Sequence, residues 1–213
     1  VSDGHELHRH AAAGLVSQVF DEESLAHLRG FSAIGHNRYS TTGSSNVANA
    51  GPLLVSGQAG SLALAHNGNI VNAQELRKEL EDKGFHFQTT TDSEVIANLI
   101  LASPGRDWID RIASATRRLL GAYSLTLLTA DSLLAVRDPN GIRPLCLGYI
   151  GTNPVVASES CALDHIGARF ERELDPGEIV SFRAGRQESI HVHDGRRRAF
   201  CVFEHIYLAR PDS

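Results

Sequence analysis

Methionine is absent from this 213-residue sequence, and it contains only three cysteines and one tryptophan. Translation starts with methionine, so a chain that opens on Val1 is expected to be a piece of a longer protein. Three cysteines are a sparse and odd set, which argues against a disulfide framework. Their scarcity favours a reducing, cytoplasmic setting.

Long apolar runs and an excess of positive charge are also missing. No run approaches the roughly 18 apolar residues of a membrane span, and the first ten residues lack the apolar core of a signal peptide. The net charge of −5 has the wrong sign for general nucleic-acid binding. We therefore expect neither a membrane nor a nucleic acid as partner. Since no linker or repeat interrupts the sequence, residues 1–213 are expected to form one domain.

Helices are predicted in the middle of the chain. One follows Asn72, with Glu75 completing a capping box and Gly84 ending it. A second runs to about Ala102 and is apolar nearly all round, which implies deep burial. A third covers residues 106–120.

Strands dominate elsewhere in the sequence. The segments predicted to be extended are residues 16–20, 33–39, 61–66, 123–129, 133–137, 143–148, 154–158, 178–182 and 189–193. Clustered helices with no regular β-α-β alternation indicate an α+β fold with largely antiparallel sheets.

Asn67 and Gly68 follow an apolar strand, where the pair is predicted to form a turn. An Asn amide and a Gly N–H that point the same way would stabilise an oxyanion on a tetrahedral acyl carbon. An ordinary Asn-Gly turn is the simpler interpretation of the dipeptide alone.

Arg38 and Asp92 are the charged candidates. Arg38 could bind a carboxylate through its guanidinium fork or form a structural salt bridge. Asp92 could bind an ammonium group or serve as the N-cap of the helix that starts at Ser93. Together with the Asn-Gly pair they would form a pocket for an α-amino acid that carries a side-chain amide.

Three motifs resemble one family, the glutaminase domains of class II amidotransferases, which are N-terminal nucleophile hydrolases. They are IGHNRYSTTG at residues 34–43, LAHNGN at 64–69 and TTDSE at 90–94. Further stretches are similar to the branch of the family that uses phosphoribosyl pyrophosphate. They are RDPNGIRPL at 137–145, ASESCALD at 157–164 and CVFEHIYLARPDS at 201–213.

The resemblance implies a four-layer α-β-β-α sandwich of two mainly antiparallel sheets, here lacking its first strand and helix. It implies that Asn67 and the Gly68 N–H form the oxyanion hole, that Arg38 holds the glutamine carboxylate and that Asp92 holds its amino group. The substrate-binding residues carried over from the motifs are Arg38, Tyr39, Thr41, His66 and Asp92.

In the family, an N-terminal Cys thiolate attacks the glutamine amide and a thioester forms as ammonia leaves. A second domain then displaces pyrophosphate from phosphoribosyl pyrophosphate with that ammonia, giving 5-phosphoribosylamine in the first committed step of purine synthesis. The sequence departs from this pattern, since it contains neither that Cys nor the second domain, and Asn37 replaces a usually apolar residue. Cys146 and Cys161 are interpreted as inert core thiols, so we expect this chain alone not to hydrolyse glutamine.

Cofactor and partner expectations also follow from the resemblance. Cys201 stands where some members have an iron–sulfur ligand, and the full-length parent is expected to use Mg²⁺ and to form a homo-oligomer. Glutamine is the expected ligand of this chain, with phosphoribosyl pyrophosphate bound by the missing domain. The alternatives are a glutaminase domain of the sugar-aminating type and a non-catalytic glutamine-binding sensor.

Overall fold

The computed structural model describes residues 1–38, 47–192, 199 and 201–202. The strands are β1 Leu53–Gly57, β2 Gly60–Ile70, β3 Gly121–Leu128, β4 Ser132–Arg137, β5 Cys146–Ile150, β6 Asn153–Ala157, β7 Arg169–Glu173, β8 Glu178–Arg183 and β9 Arg186–His191. The helices are α1 Val16–Val19, α2 Glu22–His27, α3 Ala73–Asp82, α4 Asp92–Ala102, α5 Trp108–Thr116 and α6 Ser160–His165. Within the described ranges, no helix has the length and apolar character needed to cross a membrane.

The strands form two antiparallel sheets, one of six strands in the order β1-β2-β3-β4-β8-β9 and one of three in the order β6-β5-β7. Helices α3, α4 and α5 pack on one face of the larger sheet and enclose the main hydrophobic core. Its other face meets the smaller sheet through a second cluster that includes Ala135, Leu147 and Val180. On the outer face of the smaller sheet, α6 packs through Leu163 against Cys146. The predicted α+β fold with four α-β-β-α layers is confirmed.

Helix α3 buries one stripe, as its sequence spacing predicts. Leu76 and Leu80, one turn apart, are both buried in the main core. Gly84 follows the helix with φ +86°, a left-handed conformation that favours glycine. The predicted capping box with Glu75 is wrong, because the Asn72 side chain instead contacts the backbone after α5 and makes no cap hydrogen bond.

Helix α4 is buried on nearly all sides, as predicted from its apolar interior. The cap of this helix lies one residue earlier than the Asp92 interpretation requires. The Thr91 side chain accepts the hydrogen bond from the Glu94 amide at 3.3 Å, and Asp92 is the first helical residue. The Asp92 carboxylate is therefore not needed to cap α4. Helix α5 is also shorter than predicted and begins after the N-cap Asp107.

The prediction of extended structure at residues 16–20 is wrong, because this segment forms the short helix α1. Its backbone groups are satisfied locally, with Val19 and Phe20 donating to carbonyls four residues earlier. In the described N-terminal range, residues 1–38, Ser2 is the only buried residue. An isolated strand there would have no sheet to pair with, so local hydrogen bonds prevail.

Strand β2 continues through Asn67 and Gly68, so the predicted Asn-Gly turn is wrong. Residues 67–70 pair in register with residues 124–121 of β3. At Gly68 the two strands approach so closely that a Cβ would lie 2.1 Å from the Ala122 carbonyl oxygen. Its φ of +149° also favours glycine. Backbone packing alone therefore requires glycine at this position.

A substitution of Gly68 tests this close approach. We expect Gly68→Ala to lower the free energy of unfolding by about 3 kcal/mol or more, because the new methyl group must displace the β3 backbone. Gly151→Ala is the matched control, since Gly151 also has a positive φ but no atom of a described residue within 4 Å of a Cβ. That change should cost about 1 kcal/mol from backbone strain alone. Urea unfolding measures both, and equal losses would contradict the steric explanation.

Candidate active site

A cavity of about 300 Å³ lies between the two sheets. This volume is at the lower end of the range typical of small-molecule sites, about 300–1,000 Å³. Its walls come from β2, β3, β4 and β6 and from the segment that precedes β1. The lining residues are Ala33, Ile34, Gly35, His36, Ala65, His66, Asn67, Ser124, Thr126, Leu133, Leu145, Pro154, Val155, Val156, Ala157 and Ser158.

Asn67 presents a free amide to this cavity. Side chains alternate along a strand, so Asn67 shares a face of β2 with Ala65, while Leu62 and Leu64 face the helices. Its neighbour across the ladder is Ser124, which also lines the cavity. The half-buried Asn67 side chain has no hydrogen bond to any described residue. It is therefore available to a polar group that enters the cavity.

On the opposite face of β2, His66 contacts the start of α4. Its Nδ1 lies 3.1 Å from the Ser93 Oγ and 3.7 Å from the Asp92 Oδ1. The other Asp92 oxygen accepts a hydrogen bond of 3.0 Å from the Ile70 amide. The structure thus places Asp92 against His66. These contacts attach the start of α4 to β2, the strand that carries Asn67 and Gly68.

The electrostatics keep His66 neutral. Burial is the largest of the causes that lower the pKa of His66 to about 4. The Asp92 carboxylate acts in the opposite direction, whereas His36 and Arg143 add to the lowering. The imidazole beside Asp92 is therefore neutral near pH 7.

Arg38 lies near the site, close enough for its positive charge to act on His36 in the cavity wall. Partial burial lowers the pKa of the half-buried His36, and the nearby positive charge of Arg38 lowers it further. The His36 ring lines the cavity and packs against Gly51, where a Cβ would lie 2.8 Å from a ring carbon. Arg38 itself is half-buried. Tyr39 and Thr41 lie outside the described residues, so their placement in the pocket stays a prediction.

Three residues at the site were not singled out by sequence reasoning. Ser93 follows Asp92 in the TTDSE motif, so the motif could have indicated that Ser93 lies near the site. His36 lay in the first motif without an assigned role. Ser124 had no sequence signal, because only the β2–β3 register places it opposite Asn67.

Metal-ligating side chains gather elsewhere. Within the described ranges, Asp175, Glu178 and His191 place one ligand atom each within 4.8 Å of one another. Both Glu178 oxygens already accept hydrogen bonds from Arg172. Burial alone would raise the pKa of Glu178. Hydrogen bonds, of which the one from Arg172 contributes most, lower this pKa to about 2. This group is best explained as an ion-pair cluster.

The cysteines differ in their surroundings. Cys146 is buried, which confirms it as a core thiol, and burial raises the pKa of its thiol to about 11. Cys161 is half-buried, with its Sγ 3.7 Å from a Glu159 oxygen, so it is less enclosed than predicted. Cys201 is a half-buried free thiol, and its role as an iron–sulfur ligand stays a prediction.

The neutral state of His66 predicts how stability depends on pH. The folded-state pKa lies below the usual value of 6.5, so the unfolded chain binds more protons between pH 6.5 and about 4. This contribution to stability is complete above pH 6.5 and decreases as the pH falls, by about 3 kcal/mol at pH 4. Urea unfolding across this range should show a weaker pH dependence for His66→Asn than for the unmodified chain.

His5→Asn is the matched control for this measurement, because His5 is an exposed histidine. Its pH dependence should follow that of the unmodified chain. If the His66 and His5 variants give the same slope, His66 does not account for the acid sensitivity.

Comparison with known proteins identifies the family. A family model described as a glutamine amidotransferase domain matches residues 36–165. An amidophosphoribosyltransferase from Synechococcus elongatus is 50% identical over 219 residues, which cover 100% of this chain and 44% of that protein. The chain thus spans about half the length of the curated relatives it matches.

Two solved structures have the same fold. One is a glutamine phosphoribosylpyrophosphate amidotransferase from B. subtilis complexed with ADP and GMP, with a TM-score of 0.92 and 42% identity over 99% of this chain and 46% of that chain. The other is described as the allosteric regulatory enzyme of purine biosynthesis, with a TM-score of 0.93 and 42% identity over 99% of this chain and 45% of that chain. By its matched motifs, its layers and its family model, the chain belongs to the glutamine amidotransferase domain family.

Proposed function

We propose that the chain is the glutaminase portion of an amidophosphoribosyltransferase. In this function, ammonia released from glutamine displaces pyrophosphate from phosphoribosyl pyrophosphate and gives 5-phosphoribosylamine for purine synthesis. The observation that carries the proposal is the placement of the Asp92 carboxylate against β2, the strand from which the unpartnered Asn67 amide enters the cavity. The relatives favour this branch over the sugar-aminating type, since the similar curated proteins are amidophosphoribosyltransferases.

Each polar group of glutamine has a matching group in the chain. The Arg38 guanidinium would bind the α-carboxylate with two parallel hydrogen bonds, and the Asp92 carboxylate would bind the α-ammonium group. The Asn67 amide and the Gly68 N–H would donate to the side-chain carbonyl oxygen as it becomes an oxyanion. Tyr39 and Thr41 complete the set of residues that would touch the substrate, whereas His66, also carried over from the family motifs, lies against Asp92.

The nucleophile of this reaction is the N-terminal Cys thiolate of the family. Its sulfur attacks the amide carbon, the carbon–nitrogen bond breaks as ammonia leaves, and water then hydrolyses the thioester to glutamate. The three cysteines of the present sequence are Cys146, Cys161 and Cys201, all far from position 1 in the sequence. We therefore expect the 213-residue chain to bind glutamine without hydrolysing it.

The remaining expectations concern the whole protein. Phosphoribosyl pyrophosphate would bind outside residues 1–213, and the homo-oligomer, the iron–sulfur cluster and the use of Mg²⁺ stay predictions. We propose the cytoplasm as its location, because the three cysteines are all free thiols.

Variants of the two charged residues test the binding assignment. Isothermal titration of the 213-residue chain with L-glutamine should show about 10–100-fold weaker binding for Arg38→Gln and for Asp92→Asn, since each removes a charge-assisted hydrogen-bond partner worth about 1.5–3 kcal/mol. The chain should also prefer glutamine over its methyl ester and over N-acetylglutamine. Arg38→Gln should lose the first preference alone, and Asp92→Asn the second alone.

Arg29→Gln is the matched control, because Arg29 is an exposed arginine whose side chain donates to the Ala26 carbonyl. Its affinity for glutamine should equal that of the unmodified chain. Absence of glutamine binding by the unmodified chain, or unchanged preferences in both site variants, would contradict the proposed function. Release of glutamate by this chain would contradict the assignment of the nucleophile.

A further inference from the structure

His66 is an incompletely satisfied polar group in the interior. Its side chain is 1% exposed, and its Nε2 has no hydrogen-bond partner, alone among the buried side-chain nitrogen and oxygen atoms of the described residues. A buried polar atom without a partner destabilises the folded state, whereas an apolar side chain of similar shape would avoid that loss. The stability of the fold therefore does not explain a histidine here.

The neighbours of Nδ1 determine which ring nitrogen carries the proton. Asp92 presents a carboxylate oxygen 3.7 Å from Nδ1, and a lone pair on that nitrogen would be repelled by its charge. The proton is therefore on Nδ1, from which it is donated to the Ser93 Oγ at 3.1 Å. Nε2 then carries a buried lone pair that receives no hydrogen bond.

Asp92 is held from two sides by this arrangement. The Ile70 amide donates to Oδ2, and the positive end of the His66 N–H dipole lies beside Oδ1. The carboxylate does not cap α4, because Thr91 performs that role. Its side chain also remains 19% exposed, so the carboxylate can be reached by a ligand while both of its oxygens have a fixed position.

We propose that His66 is a positioning residue, which fixes the Asp92 carboxylate for the glutamine amino group at the expense of fold stability. This inference rests on the proposed function, in which Asp92 binds that amino group. It deepens that function by separating two roles. Asp92 touches the ligand, whereas His66 acts through Asp92 and Ser93.

Two substitutions separate positioning from packing. Asn carries an amide nitrogen where His has Nδ1, so His66→Asn should retain the donor to Ser93, while its side-chain oxygen remains a buried acceptor. His66→Leu loses both. We expect His66→Leu to bind glutamine at least tenfold more weakly and His66→Asn to stay within threefold of the unmodified chain. His66→Leu, which removes the unpartnered nitrogen, should unfold at a urea concentration equal to or higher than that of the unmodified chain at neutral pH.

The contact between the Asp92 carboxylate and β2 can also be tested without a ligand. The Ile70 amide is protected by the Asp92 carboxylate, so its hydrogen exchange, measured by NMR, should be faster in His66→Leu and unchanged in His66→Asn. Thr116→Val is the matched control, because Thr116 is a buried polar residue of α5 whose hydroxyl bonds, among the described residues, only to the Ala113 carbonyl. It should leave both the glutamine affinity and the Ile70 exchange unchanged.

The outcomes distinguish this inference from the proposed function. If the unmodified chain does not bind glutamine, the proposed function fails. If it binds and His66→Leu binds equally well, the positioning role alone is wrong. A parallel loss of stability and affinity in both variants would show a merely structural role. If His66→Leu does not fold, a more than tenfold loss of affinity in a stable His66→Asn would equally overturn the inference.

Discussion

The attachment of α4 to β2 through Asp92 is the interaction on which the site depends. One carboxylate oxygen accepts from the backbone of the strand, and the other faces the imidazole of the strand's own His66. The two elements joined in this way are well fixed, since α4 is buried on nearly all sides and β2 lies between β1 and β3. A charge mounted on such elements has little freedom to move, which is what a site for a small polar ligand needs.

Burial of His66 also determines how much of the Asp92 charge is available. A protonated imidazole beside Asp92 would form an ion pair and would compete with any cationic ligand for the carboxylate. Because burial holds the pKa of His66 near 4, the imidazole is neutral at physiological pH and the negative charge is not compensated by it. The same contact therefore sets both the position of the carboxylate and its capacity to attract an ammonium group.

Local sequence patterns predicted the elements whose signals are local. The Leu76–Leu80 spacing, the apolar interior of α4 and the strands β3 and β4 were found correctly. The turn predicted from the Asn-Gly dipeptide was wrong, because pairing with β3, more than fifty residues away in the sequence, overrides the turn preference of the dipeptide. The motifs located Asp92 and His66. The position of Ser124 opposite Asn67, however, depends on strand register, which a single sequence does not reveal.

The neighbouring residues Asn67 and Gly68 show how packing and chemistry combine in one motif. Glycine at 68 is required by the approach of the Ala122 carbonyl, whatever the chemistry of the site. That close approach continues the β2–β3 ladder to Ile70, and the continued ladder sets Asn67 opposite Ser124 with its amide in the cavity. Had the chain turned at Asn67, the strand would have ended before the residue that Asp92 binds. The backbone constraint at Gly68 thus fixes the position of the neighbouring Asn67 amide. It also fixes the Asp92 carboxylate, which is bound to the same strand.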